Sequence, residues 1–246
     1  MITLRYCGTR FHGFQVQKNA LSVQEAFQDS VEQILGNRPD IKGCSRTDAG
    51  VHANMFCLSM LCESAIPCDK LVLALNRYLP EDVAVTACRD MPLDFHARYD
   101  CTGKRYVYRI LNSRVKDPFS PGLSYRWPHP LDEAALSREA ADYVGTYDFS
   151  SFCSTGGDLE DRVRTIYSAK VTRQGEYIHF TVTGDGFLYN MVRIMAGTLL
   201  FISMGRIPWG GIPEIIQSKN RELAGKTMPA QGLFLDEVFY DDRVRL

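Results

Sequence analysis

The sequence predicts an α+β fold made of two ferredoxin-like βαββαβ halves, with antiparallel sheets, helices on one face and an active-site cleft between the halves. Three observations lead there. The chain has 246 residues, which suits two modest domains. Its apolar fraction of 45% is that of an ordinary globular protein, so burial can offset chain entropy. The order strand, helix, two strands, helix, strand can be read twice, with a polar crossover from Pro92 to Gly103 between the two runs. The expected domains are therefore residues 1–100 and 101–246.

Each element has a local cause. Ile2 to Tyr6 alternates as a short strand. Ser22-Val23-Gln24-Glu25 is a capping box that opens a helix. Val23, Ala26, Phe27, Val31, Ile34 and Leu35 then recur at helical spacing, and Gly36 supplies a left-handed stop. Val51 to Leu61 reads as a strand. Pro67 and Asp69 open a helix that ends at Leu79-Pro80, and Val83 to Cys88 is a further strand.

After the crossover, Lys104 to Leu111 is a strand with Tyr106 and Tyr108 on one face. Asp117 to Pro130 is a loop with four prolines and Trp127, and Asp132 caps a helix to about Val144. Arg164–Arg173 and Tyr177–Thr183 form a hairpin turning at Gln174-Gly175-Glu176. Leu188–Met204 and Pro213–Leu223 read as helices, and Gly232–Tyr240 as a closing strand.

Composition narrows the function classes. Net charge is −1, so contact with nucleic acid must use local basic segments. Two such segments exist. Arg98 to Lys116 holds six cations against the single acid Asp100, and Arg162 to Arg173 holds four cations and no acid. Tyrosines interleave both, as on RNA-binding surfaces, although solvated charged faces have the same composition. The eight cysteines form no C-x-x-C pair and several lie in apolar runs, which indicates reduced thiols in a cytoplasmic protein. No signal peptide or membrane span is read, and the five histidines lack zinc-ligand spacing, so no metal is expected.

Four places could carry chemistry. The stretch from Gly43 to Ala53 sets Arg46 and Asp48 between two glycines; on chemistry alone it reads as a turn in which Asp48 caps amides and Arg46 faces solvent. Arg193 is the only charge in the apolar run from Met191 to Phe201, where a guanidinium needs a partner; Asp185 is the local candidate and Asp48 the distant one. Tyr106 is either a hydrogen-bonded sheet residue or a platform for a flat pyrimidine. Arg105 and Arg109 flank it in the first basic segment.

Several of these stretches resemble the TruA family of tRNA pseudouridine synthases. Gly43-Cys44-Ser45-Arg46-Thr47-Asp48-Ala49-Gly50-Val51-His52-Ala53 is similar to its active-site loop, departing at Ser45, where the family usually has Gly. Tyr6 to Gln17 resembles its N-terminal segment, departing at Cys7 (usually Asp) and Phe14 (usually Trp) in a region expected to face RNA. Asp94-Phe95-His96-Ala97-Arg98, Lys104-Arg105-Tyr106-Val107-Tyr108 and Phe187-Leu188-Tyr189-Asn190-Met191-Val192-Arg193 look like further family segments. The resemblance implies isomerisation of uridine to pseudouridine in the tRNA anticodon stem-loop, at positions 38, 39 and 40. It also implies a homodimer, with no cofactor and no metal. Asp48 would be the nucleophile, Arg193 its cation and Tyr106 the residue against the base, with Tyr108 as the other candidate. Arg46, Arg105 and Arg109 would contact the substrate. Two rival readings remain at this point. One is a non-catalytic RRM-like RNA-binding protein; the other is a hydrolase using Asp48 with another acid, such as Asp185, to cleave a glycosidic bond.

Overall fold

The structure, a computed structural model, describes residues 1–154 and 161–241. In chain order the elements are strand β1 (Ile2–Tyr6), helix α1 (Val23–Leu35), β2 (Ile41–Gly43), β3 (His52–Met60), α2 (Cys68–Tyr78), β4 (Val83–Cys88) and β5 (Cys101–Leu111). There follow β6 (Tyr125–Arg126), α3 (Glu133–Ala141), β7 (Gly145–Asp148), β8 (Val163–Gln174) and β9 (Tyr177–Gly184). The chain closes with α4 (Met191–Ser203), α5 (Ile212–Ser218) and β10 (Leu233–Tyr240). The fold is α+β with predominantly antiparallel strand pairing.

The chain divides into two compact units. The first comprises Met1–Thr102 with the chain from Leu235 onward, and the second Gly103–Phe234. In the first, the strand order is β4-β1-β3-β10, with β2 paired to β3. Strand β1 runs antiparallel to both neighbours, with Leu4 opposite Phe56 and Val85. Helix α1 begins as expected: Ser22 Oγ accepts from the Glu25 amide at 3.2 Å, and Gly36 closes it at φ 72°. Its apolar stripe buries Val23, Phe27 and Val31, and α2 buries Leu71 and Leu75. Each such side chain contributes roughly 1.5–3 kcal/mol by leaving water.

In the second unit the order is β5-β9-β8-β7, all antiparallel, with β6 parallel to β5. Tyr106, Tyr108 and Ile110 on β5 share the buried face with Ile178, Phe180 and Val182 on β9. Helix α3 packs on β8, and Tyr143 just beyond it donates to the Met195 carbonyl of α4 at 3.2 Å.

Several boundaries differ from expectation. Helix α4 starts at Met191 rather than Leu188, because Asn190 adopts a left-handed φ of 61°. Helix α3 stops at Ala141, short of Val144. Helix α5 ends at Ser218, where Lys219 turns left-handed; Asn220 then caps a separate 3-10 turn, Arg221–Leu223, by accepting from the Glu222 amide. Strands β2, β6 and β7 have three, two and four residues, too few for a period of two to declare itself.

Candidate functional site

In the first unit, the loop carrying Asp48 is laid against the segment from Gly8 to Phe14. The Phe14 amide donates to the Thr47 carbonyl at 3.1 Å, and the Gly50 amide to the Phe11 carbonyl at 3.1 Å. The Tyr6 hydroxyl lies 2.8 Å from Thr47 Oγ1, both side chains being buried. The Gly8 amide donates to His52 Nδ1 at 3.0 Å, which requires that nitrogen to be unprotonated. Within the loop, the Val51 amide donates to the Asp48 carbonyl. Two stretches more than thirty residues apart in sequence thus hold one another, and Asp48 sits half-buried between pinned neighbours.

Two glycines permit this approach. A Cβ on Gly8 would stand 2.0 Å from the Val51 carbonyl oxygen. A Cβ on Gly13, whose φ is +97°, would stand 2.6 Å from the Thr47 oxygen. Replacing Gly8 with alanine is therefore expected to push the two segments apart. Such overpacking typically costs about 1–3 kcal/mol. A lowered unfolding midpoint, read by circular dichroism, checks this; a wild-type midpoint would mean that the contact is not tight.

Arg46 is exposed and forms no hydrogen bond or ion pair among the described residues. Phe14 does not face solvent: it is 3% exposed and stacks on Phe56 at 4.1 Å and 25°. Its departure from the family residue is therefore a matter of packing, not of an RNA-facing surface. Cys7 is half-buried, and its Sγ lies 3.3 Å from Thr9 Oγ1.

In the second unit, Tyr106 meets Phe187, the first residue of the run Phe187–Arg193. Tyr106 is 7% exposed and meets the Phe187 ring edge-on, with centroids 5.0 Å apart. Tyr108 is fully buried, and its hydroxyl donates to the Pro229 carbonyl at 2.8 Å; burial pushes that phenol well above its ordinary range. A side chain so enclosed presents no face to a ligand.

Arg193 lies in the first turn of α4, half-buried. Its Nε donates to the Met228 carbonyl and its Nη1 to Asn190 Oδ1, both at 2.6 Å. Asn190 also donates to Ser154 Oγ at 3.0 Å. These two acceptors orient the guanidinium. Asp185, the nearby carboxylate, is exposed, and its Oδ1 accepts from the Thr165 amide at 3.0 Å. The orienting role of Asn190 was not read from the sequence, although asparagine is among the few residues that enter the left-handed region readily, and it stands inside the singled-out run.

Arg105 and Arg109 do not share a face with Tyr106. Alternation along β5 turns them to the opposite side, where the Arg109 guanidinium lies 3.8 Å from the centre of the Phe234 ring. Arg173, in the second basic segment, is spent on structure: it pairs with Glu133 at 2.9 Å and donates to the Leu131 carbonyl at 2.7 Å. Among the described residues, no group of three or more histidine, cysteine, aspartate or glutamate side chains is placed to hold a metal ion. Nor is any helix among them long and apolar enough to cross a membrane.

The family model described as tRNA pseudouridine synthase matches residues 2–100 and 140–241. Among curated proteins, the tRNA pseudouridine synthase A of Acetivibrio thermocellus is 42% identical over 239 residues, covering 97% of this chain and 98% of that one. The protein of the same name from Staphylococcus aureus (strain MRSA252) is 38% identical over 242 residues, covering 98% of this chain and 92% of that one. A solved structure titled as a Cbf5-Nop10-Gar1 complex aligns over 97% of this chain and 59% of that one, at a TM-score of 0.39 and 11% identity, too distant a likeness to bear on fold or function.

Proposed function

The chain belongs to the tRNA pseudouridine synthase family, and from that premise we propose that it isomerises uridine to pseudouridine in the tRNA anticodon stem-loop, at positions 38, 39 and 40, with Asp48 as nucleophile. A pseudouridine synthase is an isomerase, so neither a redox change nor a net gain of atoms is involved. The observation that supports the assignment is the mutual docking of the Gly8–Phe14 segment and the Asp48 loop, which fixes the carboxylate's backbone on both sides.

The chemistry divides among few residues. A carboxylate can form a covalent adduct and be released from it, which the breaking and remaking of a glycosidic bond requires. Attack at C6 of the base and attack at C1′ of the sugar both satisfy this. In either case the N1–C1′ bond breaks, the uracil turns, a C5–C1′ bond forms, and the C5 proton leaves. Arg193 would keep Asp48 ionised where water is excluded, because a nearby cation favours the charged form. Its bonds to Met228 and Asn190 suit that task, since they fix the guanidinium's direction. Tyr106 would hold the detached ring by its flat face. Arg46, exposed beside Asp48, would contact phosphate or fill the space left by the target nucleotide, which must be flipped out of its stem.

The deciding experiment is tritium release from C5-labelled uridine in unmodified tRNA, with product analysis beside it. Pseudouridine is expected; unchanged RNA would indicate a binding protein and free uracil a hydrolase. Replacing Tyr106 with phenylalanine keeps the ring and removes the hydroxyl. If that hydroxyl relays the C5 proton, the variant binds tRNA normally and turns over slowly, and wild-type turnover would leave stacking as its only role.

Arg105 and Arg109 are proposed to meet phosphates rather than the base, in keeping with their place on the far side of β5 from Tyr106. Wild-type affinity for tRNA should then fall as salt rises, and the double alanine variant should show a flatter slope. An unchanged slope would remove both residues from the RNA surface. A homodimer acting in the cytoplasm completes the proposal, and a solution mass of one chain would overturn the dimer.

A further inference from the structure

The first unit holds a pair of thiols that the pseudouridine chemistry does not use. Cys68 is the first residue of α2 and Cys88 the last of β4. Their sulfurs stand 3.0 Å apart, with the Cys88 thiol donating to Cys68. Two unbonded sulfur atoms at that separation need to approach by only about 1 Å to reach disulfide bonding distance. Both side chains are half-buried, and both line an open cavity of about 710 Å3 that also takes in Cys62, Met60, Leu71 and Asp90. A small solute can therefore reach them.

We propose that Cys68 and Cys88 form a reversible dithiol–disulfide site that exchanges with low-molecular-weight disulfides of the glutathione class. A metal-binding role for the cluster is not favoured, since among the described residues no three ligating side chains converge.

The two thiols are not equivalent. Cys68 occupies the first turn of α2, and it is the sulfur that accepts from the Cys88 thiol. In the reduced protein its S–H points to Asp90 Oδ1 at 3.7 Å. Cys88 is pushed up to about 12, by burial first and then by donating to Cys68. Cys68 is thus the attacking sulfur. Having given its proton to solvent, it attacks one sulfur of the small disulfide, forms a mixed disulfide and expels one thiolate. Cys88 then loses its proton and attacks the Cys68 sulfur, expelling the second small thiolate. The protein gives up two electrons and two protons, and one disulfide is reduced to two thiols. The new bond ties the first turn of α2 to the end of β4, directly before the loop that carries Asp94, Phe95 and His96.

The test uses the whole native protein equilibrated against graded ratios of reduced to oxidised glutathione, then alkylated and mapped by peptide mass. The wild type is expected to lose two alkylatable thiols together, with the Cys68 and Cys88 peptides recovered as one linked species that reductant separates. Cys88→Ser should stop at a glutathione adduct on Cys68, and Cys68→Ser should take up none at Cys88. The proposal is overturned if both wild-type thiols stay alkylatable at the most oxidising ratio, if the wild type stops at a mixed disulfide, or if Cys68 links to the exposed Cys62. An adduct on Cys88 in Cys68→Ser would overturn the order of attack.

Discussion

Asp48→Ala is expected to yield no pseudouridine while tRNA binding persists. Without a nucleophile the covalent route is closed, and the turnover lost should reach at least about four orders of magnitude, or about 5 kcal/mol of barrier. The backbone bonds that hold the loop, from Phe14, Gly50 and Val51, do not involve the Asp48 side chain, so the segment should keep its path. Asp48→Asn, which keeps the shape, should be as inactive. Single-turnover assays at saturating enzyme separate chemistry from binding. Residual pseudouridine from purified Asp48→Ala would sink the nucleophile assignment, whereas loss of tRNA binding would make Asp48 a recognition residue instead.

The second large effect concerns Arg193. Truncation to alanine removes the donors that Met228 O and Asn190 Oδ1 now receive. Under the proposed roles it also leaves Asp48 without its cation. Removing one partner of a fully buried pair typically costs about 3–5 kcal/mol, and the half-buried Arg193 should cost less than that, to be read as a lower denaturant midpoint. Catalysis should fall by roughly 100-fold or more, the scale seen when a preorganised electrostatic contact is lost. Arg193→Lys keeps the charge but lacks the planar fork that reaches the carbonyl through Nε and the amide oxygen through Nη1, so it should recover only part of either quantity. If Arg193 and Asp48 pair, Asp48→Ala combined with Arg193→Met should be less destabilised than the two single changes summed, by about 0.5–3 kcal/mol. Strict additivity of the two would refute the pairing and leave Arg193 as a residue that secures the start of α4.

Much of the fold could be read from one dimension, because its causes are local. The Ser22 cap, the Gly36 stop and the Gln174-Gly175-Glu176 turn each act within a few residues, and the structure has α1 and the β8–β9 hairpin where those signals put them. The α+β class follows from such signals, and the family resemblance from motifs that are contiguous in the chain. Other features depended on contacts between distant residues. Nothing near Phe14 says that it packs on Phe56, and nothing near Arg193 names the Met228 carbonyl, 35 residues on, as its acceptor. The start of α4 differs from the expected one because Asn190, inside a run of helix-compatible apolar residues, takes the left-handed region and bonds both Arg193 and Ser154.

The basic segments show the same division. The sequence determined that cations cluster around Tyr106. The pleat of β5 then set Arg105 and Arg109 on the other face, and tertiary packing committed Arg173 to Glu133 and the Leu131 carbonyl. Likewise Cys68 and Cys88 stand 20 residues apart in the chain, and only the packing of β4 beside α2 brings the sulfurs to 3.0 Å. Sequence by itself determined which residue types are present and which local elements they form. Which of them meet is decided by long-range packing, since a side chain's partner is fixed by where two distant backbones are laid together.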